Sequence, residues 1–179
     1  MGRTRSIIVL ALGSATLVVI GMVMWPLFAL LPTAAMRALI LAPLYSLFAD
    51  TLLRRVGFPG ALTLFGLVLG VILSFFSPLM LPVSLLGAGG AELVGWLLGL
   101  RAKDSWQKQP SIRKLTAALF PALQFPMMLV ALTYLAGQPL TSFLTNPLLI
   151  LLFTGLGVAL GYGGCALGEQ IARRLPGAV

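Results

Sequence analysis

The sequence predicts an all-α integral membrane protein: one bundle of six transmembrane helices with both termini in the cytoplasm. Three observations predict it. Of 179 residues, 59% are hydrophobic and 9% charged, where a soluble domain carries roughly 25% charged residues. The mean hydropathy is +1.05, and the apolar residues come in runs near the roughly 20 residues that span a bilayer as a helix. The Lys and Arg residues fall between those runs, and they alternate in a way that fixes orientation.

The six segments lie near 6–30, 33–53, 59–77, 79–100, 113–136 and 144–172, in a single domain covering 1–179. The first follows Arg3 and Arg5. Its apolar run, Ser6 to Met24, exceeds the core of a signal peptide and reads as a retained helix, with a signal anchor as the alternative. Trp25 and Pro26 close it, and the second segment opens after Pro32 and ends at Arg54 and Arg55. Gly57 to Gly60 precede the third segment, and Pro78 and Pro82 mark its join to the fourth. The only longer hydrophilic connection is a cytoplasmic loop, 101–114. Gly137 to Pro139 end the fifth segment, and Asn146-Pro147 marks the start of the sixth.

With the N-terminus inside, Arg3, Arg5, Arg54, Arg55, Arg101, Lys103, Lys108, Arg113, Lys114, Arg173 and Arg174 all lie inside, and of the 12 basic residues only Arg37 lies outside. One span more or fewer would scatter these charges. The expected location is therefore the cell membrane, multi-pass.

The net charge of +8 does not indicate nucleic acid, because the basic residues form no basic domain. They suit anionic inner-leaflet lipid. Histidine is absent and Cys165 is the single cysteine, which leaves no intrachain disulfide, no thiolate metal cluster and no histidine base. Asp50 and Asp104 fall at the cytoplasmic boundary, so no pair of membrane aspartates forms. No phosphate-binding loop of the G-x-x-x-x-G-K-[ST] type occurs. The sequence therefore offers no catalytic residue, metal or cofactor, and an energised task requires a partner.

Glu92, within Gly87-Ala-Gly-Gly-Ala-Glu92, is the most informative polar residue. An ionised carboxylate at bilayer depth costs about 3 kcal/mol on insertion scales. It reads as a counter-ion for a cationic ligand or a proton site, against a packing Glu between helices. Tyr45 and Gln124 fall near mid-membrane with it, and Tyr134 and Asn146 fall towards the outside. Arg37 either binds an anionic group or snorkels to headgroups. Trp25 is either an interfacial belt residue or part of a gate, and Trp96 and Trp106 read as belt residues. Ala11 and Ala15, with Gly13 and Ser14, form a small-residue strip on the first helix, suited to packing in the bundle or to docking another helix. Gly157, Gly161, Gly164 and Gly168 form a second strip that reads as internal packing, and Glu169 and Arg173 read as an i,i+4 pair.

Taken together, the six helices, the chain length, the Ala11/Ala15 pair and the stretches Arg55 to Ala61 and Gly87 to Glu92 resemble the S components of energy-coupling factor (ECF) vitamin transporters, in their YkoE/MptD-like branch. The resemblance in architecture covers the whole chain, and the residue-level match covers about 30 positions. It implies a substrate-binding subunit of an ABC importer that captures a vitamin or vitamin precursor at the outer face, beneath the loop around Trp25 to Pro32. It further implies that Ala11 and Ala15 dock on an EcfT-like membrane coupling subunit, and that two cytoplasmic ATPases supply the energy. A Gly-Ala-Glu in the fourth helix is associated there with thiamine-type ligands, so Glu92 points to thiamine or a precursor. Two other readings stay open: a self-sufficient small transporter or channel, and a non-transport membrane assembly protein.

Overall fold

A computed structural model describes residues 3–24, 26, 36–56, 58–100, 106–135, 137 and 146–174, without the side chains of 3–7, 9–10 and 171–174. Among them are six α-helices: α1 (Arg3–Val23), α2 (Arg37–Arg55), α3 (Ala61–Ser74), α4 (Met80–Gly99), α5 (Pro110–Tyr134) and α6 (Pro147–Arg174). Each lies on one of the six apolar segments. A short 3₁₀ turn, Trp106–Lys108, precedes α5, which begins on Pro110, a residue whose fixed φ suits the first helical turn.

Among the described residues, three helices, α4, α5 and α6, are long and apolar enough to cross a membrane. α3 has 14 residues, about 21 Å of helix. α2 carries Arg37, Asp50, Arg54 and Arg55 near its two ends. α6 turns most of its surface away from the bundle: Leu148, Leu151 and Leu152 are at least 60% exposed, the composition of a lipid-facing surface.

The core lies between α2, α3, α4 and α5, around Phe65, Phe120, Leu53 and Leu62. α6 closes on α2 and α5 because its glycines remove side chains where the backbones meet. A methyl on Gly164 would overlap the Pro43 carbonyl, and one on Gly161 would crowd Ser46 and Ala118. The glycine strip is thus spent inside the molecule. The indole of Trp106 is also inside. It is 6% exposed and fills the groove left by Gly95 and Gly99, which corrects its reading as a belt residue. Trp96, 52% exposed, keeps the outward position that reading requires.

The ion pairs of Asp50 and Glu169 lie at one end of the bundle. The Asp50 carboxylate accepts from Arg54 through Oδ2 and from Arg113 Nε through Oδ1, the latter at 2.8 Å. Arg113 also donates to the Gln107 carbonyl, and the Gln107 amide donates to the Phe58 carbonyl. Glu169 pairs with Lys114 of α5; the Arg173 side chain, its expected i,i+4 partner, lies outside the described residues. We call this the basic end.

Replacing Gly164 with Ala is expected to destabilise the protein by about 1–3 kcal/mol through overpacking. Gly163→Ala, where an added methyl meets nothing within 4 Å, should leave stability unchanged. Thermal unfolding of both variants in detergent checks the contrast.

Candidate functional site

At the end opposite the ion pairs, α1 to α5 surround a cavity of about 140 Å³. α2 contributes Arg37, Leu41 and Tyr45, and α5 contributes Gln124 and Met128. Met22 of α1, Met80 and Ser84 of α4, Leu73 of α3 and Phe76 just beyond it complete most of the wall.

Packing beneath the cavity fixes its polar groups. The Tyr45 ring rests on Phe120, with centroids 6.0 Å apart, and Phe120 meets Phe65 edge-on at 5.8 Å. Gln124 follows Phe120 by one helical turn on the same face. Its side chain crosses α4 at Gly87, where a Cβ would come within 3.1 Å of the Gln124 Cγ. Tyr45 and Gln124 are 7% and 5% exposed. The Tyr45 hydroxyl and the Gln124 amide are not among the fully buried polar atoms without a partner, which include the Ser14 and Ser46 hydroxyls; they keep accessible surface and line the cavity. Two hydrogen-bonding groups that open onto one cavity make it the strongest candidate for a binding site.

The sequence candidates divide. Arg37, Tyr45 and Gln124 come together on the cavity. Glu92 does not. It lies eight residues beyond Ser84 on α4, about 12 Å further along the axis, and both its oxygens are engaged. Oε1 accepts from the Gly60 backbone N–H at 2.6 Å, and Oε2 accepts from the Thr63 N–H and hydroxyl at 2.9 and 2.7 Å. Glu92 thus caps α3 from another helix. The N-cap of α3 is Gly60, at φ +90° and without a side chain, so the first N–H groups have no local acceptor. A carboxylate supplies one and matches the positive end of the helix dipole. This geometry replaces the ligand counter-ion expected for Glu92.

Asn146 accepts from the Leu148 N–H at 2.9 Å, which makes it an N-cap of α6. Tyr134 is 81% exposed at the end of α5. Neither lines the cavity, and Trp25 lies outside the described residues. Ala11 and Ala15 lie on the outward face of α1 with Ile8, Leu12 and Val19, while Ser14, Leu17 and Val18 face the bundle. The sequence reading missed the cavity methionines. A methionine in an apolar run looks like core filler, and nothing in its spacing marks a cavity wall.

Comparison of the chain with protein-family models, with curated proteins and with solved structures finds no match. The functional reading therefore rests on the residues themselves.

Glu92→Ala is expected to cost about 1–3 kcal/mol, because it leaves the Gly60 and Thr63 donors without their buried acceptor. Glu92→Gln, which keeps an acceptor oxygen and loses the charge, should cost less. Chemical unfolding, with hydrogen exchange at Gly60 and Thr63, reads both effects.

Proposed function

We propose that this chain is the small-molecule-capturing subunit of a membrane importer, as its resemblance to ECF S components implies. The observation that carries the reading is the cavity between α1 and α5, onto which the largely buried side chains of Tyr45 and Gln124 open their hydrogen-bonding groups.

The placement of charge supports the direction of capture. Arg54, Arg55, Lys108, Arg113 and Lys114 belong to the basic end. If that end is cytoplasmic by the positive-inside rule, the cavity faces outward and both termini are inside. The outward face of α1, with Ala11 and Ala15, is available to a coupling subunit of the EcfT type. Cytoplasmic ATPases would supply the energy, since the chain has no nucleotide-binding loop. The ligand of this proposal is vitamin-like. The case for thiamine rested on Glu92 as counter-ion, and Glu92 is committed to α3.

Two experiments test the proposal. Wild-type protein purified in mild detergent and then denatured should release a small molecule in roughly equimolar amount, identified by mass spectrometry. Gln124→Leu should lower that amount by about tenfold, the equivalent of 1.4 kcal/mol. No released molecule, together with no uptake when the protein is expressed with importer ATPases, would count against capture. For orientation, single cysteines introduced at Lys108 and Tyr134 should label from opposite sides of sealed vesicles, Lys108 from the cytoplasmic side. The native Cys165, 0% exposed, should stay silent. Same-side labelling would refute the proposed topology.

A further inference from the structure

We infer that the cavity binds an uncharged, single planar ring carrying a hydrogen-bond donor beside an acceptor, and that it rejects cations. The inference rests on the capture reading above and names the class of ligand captured.

Size comes first. A cavity of about 140 Å³ matches the roughly 150 Å³ engineered cavity that admits benzene. The buried part of the ligand is therefore one ring.

The walls give the ring its character. Met22, Met80 and Met128 line the cavity together with Phe76. Thioethers are polarisable and make favourable contacts with aromatic rings, worth about 0.3–1.5 kcal/mol each. Three of them around a ring-sized space favour an aromatic or heteroaromatic guest over an aliphatic one.

The edge of the ring follows from Gln124. Its side chain is largely buried, 5% exposed, and it lines the cavity. A primary amide offers a donor beside an acceptor, and its complement is another amide-like edge. The Tyr45 hydroxyl adds one further donor or acceptor. A ligand without such an edge displaces water from these groups and offers them no partner, the situation that gives discrimination.

Charge follows from counting carboxylates. The chain has four acidic residues. Asp50 and Glu169 are paired with Arg and Lys at the basic end, and Glu92 caps α3. The fourth, Asp104, belongs to the connection after α4, outside the described residues. The described residues that line the cavity include Arg37 and no carboxylate. A cationic ring would lose its hydration there with no counter-ion.

The test uses one ring with two substituents: benzamide, neutral with an amide edge, and benzylammonium, a cation of similar size. Binding to the purified wild-type protein in nanodiscs is measured by calorimetry or by competition with the co-purified molecule. Benzamide should bind at least tenfold tighter than benzylammonium. Gln124→Leu should weaken benzamide by about tenfold and leave benzylammonium unmoved, while Gln124→Glu should reverse the preference. Equal or tighter binding of benzylammonium to the wild type overturns the inference, and this comparison needs no variant to fold. A co-purified molecule that proves cationic, or failure of benzamide to displace it, overturns the inference while leaving capture intact. If neither probe binds and no molecule co-purifies, both fall together.

Discussion

Asp50 sits 2% exposed on α2, where an uncompensated carboxylate would be among the costliest groups in the chain. Arg54 and Arg113 compensate it from two helices. Such a pair adds little net stability over an apolar replacement, and its loss on one side strands the other charge. Its consequence here is registry. A slip of α5 by one residue moves Arg113 by about 1.5 Å and 100° around the axis, and the 2.8 Å contact to Asp50 cannot survive that. Arg113 also holds the 3₁₀ turn through Gln107, and Gln107 holds the α2–α3 connection through Phe58. One buried carboxylate thus sets α2, α5 and the segments around them relative to one another. Tyr45 and Gln124 inherit their positions from it.

Glu92 solves a second problem by the same means. α3 begins on a glycine with no side chain to cap it, and the apolar surroundings offer its first N–H groups no substitute. The carboxylate from α4 does, and it pins α3 to α4 near their shared basic end. Lys114 and Glu169 do the same for α5 and α6. The two ends of the bundle therefore differ. At one, Asp50, Glu92 and Glu169 are bonded across helices. At the other, Tyr45 and Gln124 open onto a cavity. The bonded groups hold the structure together, and the groups open to the cavity are those a ligand would meet.

Much of this was legible in the sequence, though not evenly. The apolar runs locate all six helices, because hydrophobic length and Pro/Gly punctuation are local properties. Tyr45, Gln124 and Arg37 stand out as polar residues in such runs, and the structure brings these three together. Glu92 stood out for the same reason and turned out to be a cap. Depth along a helix can be counted from sequence, but which helix end lies opposite cannot. Its partners are 29 and 32 residues away. One signal was present: Gly60 opens α3 with no Ser, Thr, Asp or Asn at the N-cap, and a helix start without a local cap near a lone carboxylate asks to be paired with it. The burial of Trp106 was similarly hidden, since it depends on the groove made by Gly95 and Gly99 one helix away.

The cavity walls are not equally fixed. α2 and α5 are joined through Asp50, and α3 and α4 through Glu92. α1, the remaining wall, meets its neighbours through Ser14, Leu17 and Val18 and through Gly13 against Phe48. Among the described side chains of α1 the hydrogen bond is internal, from Thr16 to the Leu12 carbonyl. Apolar contact without directional bonds lets a helix tilt at little cost, because dispersion is non-directional and is recovered in nearby arrangements. Among the described side chains, the wall that carries Met22 at the cavity and Ala11 and Ala15 on its outward face is thus held by apolar contact. Displacement of α1 by a partner on its outer face would therefore change the shape of the cavity before it disturbed the ion pairs beneath.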